Sequence, residues 1–412
     1  MITAAIGSFF IYAAYLDFSY PILNTVAGLF FFYRLMKESE STWFWTGAFI
    51  GVFWFWWIGL SFEHYHMHWA IPLVEFGTAL IYGGIFWLIA KIALSAERLA
   101  FKNRIVASQR IPTLLSLTLK AAGLLVLSYI HPFGFDWFKP ELLFVESYIG
   151  IDKWRFALVL GTLCLFLLYR RPFILTLLLF AVNTCLPSVS YESPHDTAIV
   201  TTRTDVEKKW DKRRHKMQFD ALFKRIDLAT EQNKKIVILP ESVFPVFINL
   251  TPELFNRLKE KSKRINIVTG GLYWDGATPK NAAYIFTKEG RVTVAEKTVL
   301  VPFGEANPLP DFLSDWVNRI FYDDAVDYKA ADTPTDYRIE DRVYRNAICF
   351  EATSETLYKP VPKRMIVLSN NGWFVPSTEP TLQRLLLEYY HRKYGTTIYH
   401  AINMSRSYTI GK

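Results

Sequence analysis

Up to about residue 190 the chain is a succession of apolar segments with almost no charge inside them. Seven can be counted, at about 2–16, 19–34, 42–61, 70–95, 113–130, 155–169 and 172–188. A bilayer core takes about 20 apolar residues per helix. One such segment alone reads equally well as a buried core helix. Seven in a row leave too little polar surface for a soluble fold. The first half, about 1–190, therefore reads as a polytopic α-helical membrane domain of about seven spans. The third segment carries Trp54-Phe55-Trp56-Trp57, an aromatic density suited to the lipid interface. The first segment lacks a basic leader and a small-residue cleavage site, so it reads as a retained helix rather than a signal peptide.

Lysine and arginine set the orientation. Arg34 and Lys37 lie between the second and third segments; Lys91, Arg98, Lys102, Arg104, Arg110 and Lys120 lie between or at the edges of the fourth and fifth; Arg170 and Arg171 lie between the sixth and seventh. The alternate loops are poorer in positive charge and carry Asp17, Glu63, Asp136, Glu141, Glu146 and Asp152. The positive-inside rule then places the amino terminus in the cytoplasm. An odd number of spans delivers everything after residue 190 to the other side, which in a bacterium is the periplasm.

A net charge of +8 would ordinarily suggest nucleic acid as a partner. Here many of the positive charges flank apolar segments, so no nucleic acid is expected. Of the three cysteines, Cys164 and Cys185 lie in apolar runs, and no disulfide framework is implied. His64-x-His66-x-His68 has no carboxylate-rich partner nearby and reads as a polar loop, so no metal is expected. The aromatic stretch His131–Phe138 is an interfacial loop, either plain or shaped to guide a lipid.

The second half has the charge density of a water-soluble domain and alternates strands with helices, the mark of an α/β domain. Asp196–Thr202 reads as a strand and Val206–Leu228 as one long amphipathic helix, with Trp210 near its start as a site residue or a staple onto the sheet. Ile236–Leu239 is a buried strand ending in Pro240-Glu241-Ser242. Asn266–Gly271 is another. Asn281–Thr287 and Val292–Lys297 form a hairpin around Lys288-Glu289-Gly290-Arg291. A loop over 306–335 holds a short helix at Asp311–Phe321. The strand beginning near Asp341 ends in Ile348-Cys349-Phe350-Glu351, and Arg364–Ser369 leads into Asn370-Asn371-Gly372-Trp373-Phe374. A helix at about Thr381–Tyr394 and a strand at about Thr396–Asn403 close the chain. Taken singly, Glu241 reads as a charge at a helix N-terminus, Lys297 as a surface lysine and Cys349 as a small buried hydrophobe.

Taken together, a glutamate after one strand, a lysine after a hairpin arm and a cysteine after a third strand resemble the Glu–Lys–Cys arrangement of the nitrilase superfamily. Leu239-Pro240-Glu241, Glu296-Lys297-x-x-Leu300-Val301-Pro302-Phe303-Gly304-Glu305, Ile348-Cys349-Phe350-Glu351 and Ser369-Asn370-Asn371-Gly372-Trp373-Phe374 resemble the motifs of the apolipoprotein N-acyltransferase family. The order of a polytopic domain before a nitrilase-like domain is the family's too. Two departures stand out. Asn371 replaces the usual aspartate, and the C-terminal membrane span that the family typically carries is expected to be absent, since the chain stops at Lys412.

The resemblance implies an αββα sandwich over 191–412 and acyl transfer in two steps. A phospholipid gives an acyl chain to Cys349 as a thioester. The α-amino group of a diacylglyceryl-cysteine at the start of an apolipoprotein then takes it as an amide. Glu241 is the expected general base. Lys297 and the backbone N–H of Phe350 are expected to face the oxyanion. By the same resemblance Glu305 orients Lys297 or shares the proton balance, Glu351 accepts hydrogen bonds behind them, and Trp210, Asn281 and Trp373 either line the site or serve in packing. No cofactor is implied, and a monomer is expected. A membrane-tethered amidase using the same residues and a non-enzymatic scaffold or transporter are the rival readings.

Overall fold

The computed structural model describes residues 1–64, 66–102, 110–302, 304–305 and 328–411. The expected helix at Asp311–Phe321 lies outside these residues. The chain divides into two compact units. One comprises Met1–Pro132, Asp136–Leu186 and Pro376–Lys393; the other comprises Phe133–Phe135, Pro187–Val375 and Tyr394–Lys412.

The first unit is helical: α1 (Ile2–Tyr15), α2 (Pro21–Lys37), α3 (Glu40–Phe55), α4 (Ile71–Lys102), α5 (Arg110–Leu127) and α6 (Lys153–Tyr169). The seventh apolar segment is helical only over Pro172–Ala181, wound as a 3₁₀ helix. Among the described residues, Glu40–Glu63, His68–Lys102 and Arg110–Gly134 are long and apolar enough to cross a membrane. Small residues set how closely two of these pack. A Cβ on Gly47 would come within 2.5 Å of the Tyr82 carbonyl oxygen, and one on Gly51 within 2.9 Å of that of Thr78. The backbones of α3 and α4 touch there, as small-xxx-small faces allow.

Charge buried in this unit is spent on holding helices. Lys120 on α5 donates to the carbonyls of Met36 (3.0 Å) and Glu38 (2.9 Å), closing the otherwise unsatisfied end of α2. Glu141 accepts from Ser128 and Tyr389 and pairs with Lys153 at 2.6 Å. The helix Glu379–Tyr394, late in the sequence, belongs here up to Lys393. Its Arg384 bridges Glu146 and Glu388, and its Arg392 donates to the carbonyls of Phe144 and Val145.

The second unit is a pair of sheets. One has the order β2-β3-β5-β6-β7 with β4 (Phe244–Phe247) beside β5; the other has the order β1-β12-β11-β10-β9-β8. In the first sheet β2 (Thr197–Ile199), β3 (Ile236–Ile238) and β5 (Asn266–Trp274) run parallel. β6 (Pro279–Phe286) and β7 (Val292–Glu296) return antiparallel. In the second, β9 (Arg342–Ile348), β10 (Arg364–Asn370) and β11 (Thr397–Asn403) run parallel. β8 (Asp336–Ile339) flanks them on one side; β12 (Tyr408–Gly411) and β1 (Ser188–Ser190) complete the other. Ile236, Ile238, Val268 and Ile285 from one sheet meet Tyr344, Ile348, Ile366 and Leu368 from the other, so the inter-sheet core is aliphatic and aromatic. Leu222, Phe223 and Ile226 of one helix and Leu254 and Leu258 of another bury the outer face of the first sheet.

The expected single helix over Val206–Leu228 is broken. α7 covers Val206–Trp210 and α8 covers His215–Glu231. Between them the Asp211 carboxylate accepts from the Arg213 amide, a local bond that competes with continuing the helix. The helix that brings Leu254 and Leu258 to that outer face is α9, Pro252–Ser262; the late helix of the first unit is α10.

Candidate active site

Strand direction gathers the chemistry at one edge. Glu241 follows the carboxyl end of β3. Because β6 is antiparallel, its beginning lies at that same edge, and Asn281 stands there opposite Leu272. β7 returns to the edge, with Glu296 opposite Ala282, so Lys297 emerges beside them. In the other sheet Cys349, Asn371 and Met404 follow the carboxyl ends of the parallel strands β9, β10 and β11. This is the end of a parallel sheet at which α/β proteins place their ligands.

The side chains at this edge form a connected chain. Asn281 Nδ2 donates to Glu241 Oε1 at 2.7 Å and to Glu305 Oε1 at 3.3 Å. Glu305 Oε2 pairs with Lys297 Nζ at 2.6 Å and accepts from the Val301 amide at 2.9 Å. Lys297 is 1% exposed, so its ammonium depends on these carboxylates for compensation. Burial alone would pull its pKa down. Glu305, Glu241 and Cys349, in that order, outweigh burial and hold it above the usual lysine value. The Cys349 sulfur is therefore within electrostatic reach of the lysine.

Two backbone features fix Glu241 and Cys349. Ser242, just after the glutamate, has φ 46°, and Cys349 itself has φ 54°. Both are left-handed conformations that a non-glycine residue adopts at a cost of about 1–3 kcal/mol, and such strain clusters at functional sites. Gly270 on β5 gives the first of these turns its room. A Cβ there would fall 2.4 Å from the Ser242 nitrogen and 2.7 Å from the Glu241 Cα.

Glu351 lies behind the sulfur and ties its strand to the lysine loop. Its Oε1 accepts from the Ile348 amide, and its Oε2 from the amides of Thr298 and Val299 and the Thr298 hydroxyl. Burial pushes its pKa up, against the pull of Lys297 and these donors. The Phe350 ring stacks on Phe135 at 5.8 Å between centroids and 15° between planes. A residue of the aromatic loop in the first half of the sequence thus packs next to the cysteine.

The expected site residues therefore fall into two groups. Glu241, Lys297, Asn281 and Glu305 are joined by hydrogen bonds and an ion pair, with Cys349 within electrostatic reach of Lys297 and Glu351 bracing the loops. Trp210 is 43% exposed at the end of α7, and Trp373 is half-buried after β10. Two contributors went unseen in the sequence. Gly270 is one, although the pair Gly270-Gly271 ending a buried strand hinted at it. The other is Lys209, 3% exposed, whose Nζ donates to the Glu241 carbonyl at 3.0 Å. Sequence reading singled out its neighbour Trp210 instead.

Such a cluster suits covalent catalysis: a sulfur on a strained, rigid support, a carboxylate to move its proton, and a buried cation for the charge that develops on a carbonyl oxygen. Comparison with known proteins identifies the family. A family profile described as the apolipoprotein N-acyltransferase integral membrane domain matches residues 1–186. The chain is 38% identical over 412 residues to the apolipoprotein N-acyltransferase of Wolinella succinogenes, covering 98% of this chain and 93% of that one. It is 34% identical over 397 residues to that of Helicobacter hepaticus, covering 93% and 92%. Among solved structures, an amidase from Nesterenkonia sp. aligns at 14% identity over 50% of this chain and 74% of that one, with a TM-score of 0.36.

Proposed function

The chain belongs to the apolipoprotein N-acyltransferase family, and from that premise we propose that it carries an acyl chain from a phospholipid to a lipoprotein amine through a thioester on Cys349. The single observation that supports this most is the run Glu241–Asn281–Glu305–Lys297, joined by two hydrogen bonds and an ion pair, with the Cys349 sulfur within electrostatic reach of the lysine.

In the first half-reaction Glu241 takes the thiol proton as sulfur attacks the carbonyl carbon of the sn-1 ester. A free thiol is mostly protonated at neutral pH and needs that help. The negative charge on the carbonyl oxygen faces Lys297 and the Phe350 N–H. Collapse breaks the ester C–O bond, and the departing lysophospholipid oxygen recovers the proton from Glu241. In the second half-reaction the α-amino nitrogen of a diacylglyceryl-cysteine attacks the thioester and passes a proton to Glu241. The C–S bond breaks, the amide forms, and the proton returns to sulfur. Asn281 and Glu305 hold the base and the cation in register throughout. All these residues come from one chain, so a monomer suffices.

The acyl donor and acceptor are both lipids. Exposing an acyl chain to water costs about 0.8 kcal/mol per methylene, which a membrane-embedded enzyme avoids. The asymmetry of Lys and Arg between alternate loops supports a cytoplasmic amino terminus and a periplasmic catalytic unit.

Purified protein given phospholipid and a diacylated lipopeptide tests the reading. The peptide should gain one acyl group, with loss of one phospholipid acyl chain for each. Release of free fatty acid with no gain on the peptide would replace this function with hydrolysis.

A further inference from the structure

We propose that Lys209 is a positioning residue of the acyl-transfer site, which fixes the backbone of Glu241 and supplies the second positive charge that two carboxylates and a reacting thiol require. The proposal rests on the reading of Glu241 and Cys349 given above and adds a role for a residue outside that set.

Lys209 lies at the end of α7, one residue before the exposed Trp210, and its side chain turns inward. Its ammonium donates to the main-chain carbonyl of Glu241 at 3.0 Å. That carbonyl sits between Pro240, whose own oxygen accepts from the Gly270 amide, and the left-handed Ser242. The turn carrying the base is therefore held on one side by β5 and on the other by α7.

A neutral donor would serve for the hydrogen bond alone. Burying an ammonium there costs several kcal/mol unless opposite charge faces it, and the groups that do so are Glu241 and Cys349. Around the base, Lys297 comes from the end of β7, Glu305 from the loop beyond it, Asn281 from β6 and Lys209 from α7. With both lysines charged and the thiol protonated, Glu241 and Glu305 are balanced one for one, while Glu351, which also faces Lys297, is held by four donors of its own. Without Lys209 the same pocket holds two carboxylates against a single ammonium, and passing the thiol proton to Glu241 leaves that excess in place, now carried by sulfur and then by the carbonyl oxygen it attacks. Burial lowers the pKa of Lys209 to about 8, with Glu241 and Cys349 opposing the fall, so the residue is charged at neutral pH and close to losing that charge.

The test compares Lys209→Gln, Lys209→Met and Lys209→Arg in the full-length membrane protein. The readouts are the rate of acyl-thioester formation on Cys349 from phospholipid as a function of pH, and the pH dependence of iodoacetamide modification of Cys349 located by peptide mass. Glutamine keeps a donor for the Glu241 carbonyl but no charge. We expect Gln and Met to slow thioester formation by at least 30-fold at pH 7. In both, the acid limb of the rate profile and the onset of alkylation should move up by at least one pH unit. Arginine should keep both within a few tenths of a unit of wild type. Profiles for Gln and Met that overlay wild type would overturn the proposal. So would a loss of rate with unmoved limbs, which is what a purely structural hydrogen bond gives. Alkylation of Cys349 reads the charge effect even where acylation is too slow to follow. If wild type itself forms no adduct on Cys349, the failure belongs to the acyl-enzyme reading and not to Lys209.

Discussion

Both units bury lysines, and they use them differently. In the helical unit Lys120 is 3% exposed and donates to two carbonyls at the end of α2. Lys209 and Lys297 in the two-sheet unit are equally buried, yet the groups that face them are Glu241, Glu305 and Cys349. Burial of a charge is therefore not in itself a sign of chemistry. What faces the charge decides. A lysine on a helix end satisfies orphan backbone groups, whereas one among carboxylates and a thiol sets the energy of a proton transfer.

That contrast is open to attack in order of expected effect. Cys349→Ala removes the attacking atom and should reduce acyl transfer by on the order of 10⁴-fold or more, the scale seen when a covalent nucleophile is lost. The helical unit should extract and melt as in wild type, followed by detergent solubility and thermal unfolding. Gly270→Ala tests whether the fold itself places the base. Its methyl cannot fit beside the Glu241 turn, and a shift of about 1 Å should cost about 10²-fold in acylation rate, read by thioester formation in protein that is still folded. Lys209→Arg tests the charge alone. Lys209 sheds its proton as pH rises through about 8 and a guanidinium does not, so above that pH the arginine variant should keep several-fold more of its neutral-pH rate than wild type does. Lys120→Met should change acylation by less than about 2-fold while lowering stability by about 1–3 kcal/mol, the cost of orphaned buried carbonyls, read as a fall in melting temperature. A large loss of activity with an unchanged melt would erase the distinction between the two kinds of lysine.

The same contrast explains what the sequence could convey. Apolar runs are local, so the helical segments stand out at once. Glu241, Lys297 and Cys349 each follow a strand whose alternation or burial shows in a few consecutive residues, and the family motifs join them. Lys209 was hidden because the long amphipathic run over Val206–Leu228 appears continuous. The structure breaks it at Asp211, whose side chain accepts from Arg213, and leaves Lys209 buried at the end of the first piece. Gly270 needed knowledge of which strand passes Glu241, a contact across 29 positions that no local pattern encodes. α10 is legible as a helix at about Thr381–Tyr394, but its place in the first unit is not: its Glu379, Arg384 and Glu388 give it a mixed surface. The partner that makes burial of Arg384 tolerable, Glu146, lies 238 residues away. The four-residue strand β12 carries too short a pattern to read, although it supplies the link by which β1 joins the second sheet.

Everything in the chemical account passes through one sulfur, and mass measurement can observe it between the two half-reactions. Protein incubated with phospholipid alone should gain a single acyl increment on the peptide containing Cys349. Hydroxylamine should remove that increment, and so should the diacylated lipopeptide, with matching gain on the lipopeptide. Lipopeptide acylation proceeding while Cys349 carries no acyl group, or with the increment on Cys185 instead, would contradict the account.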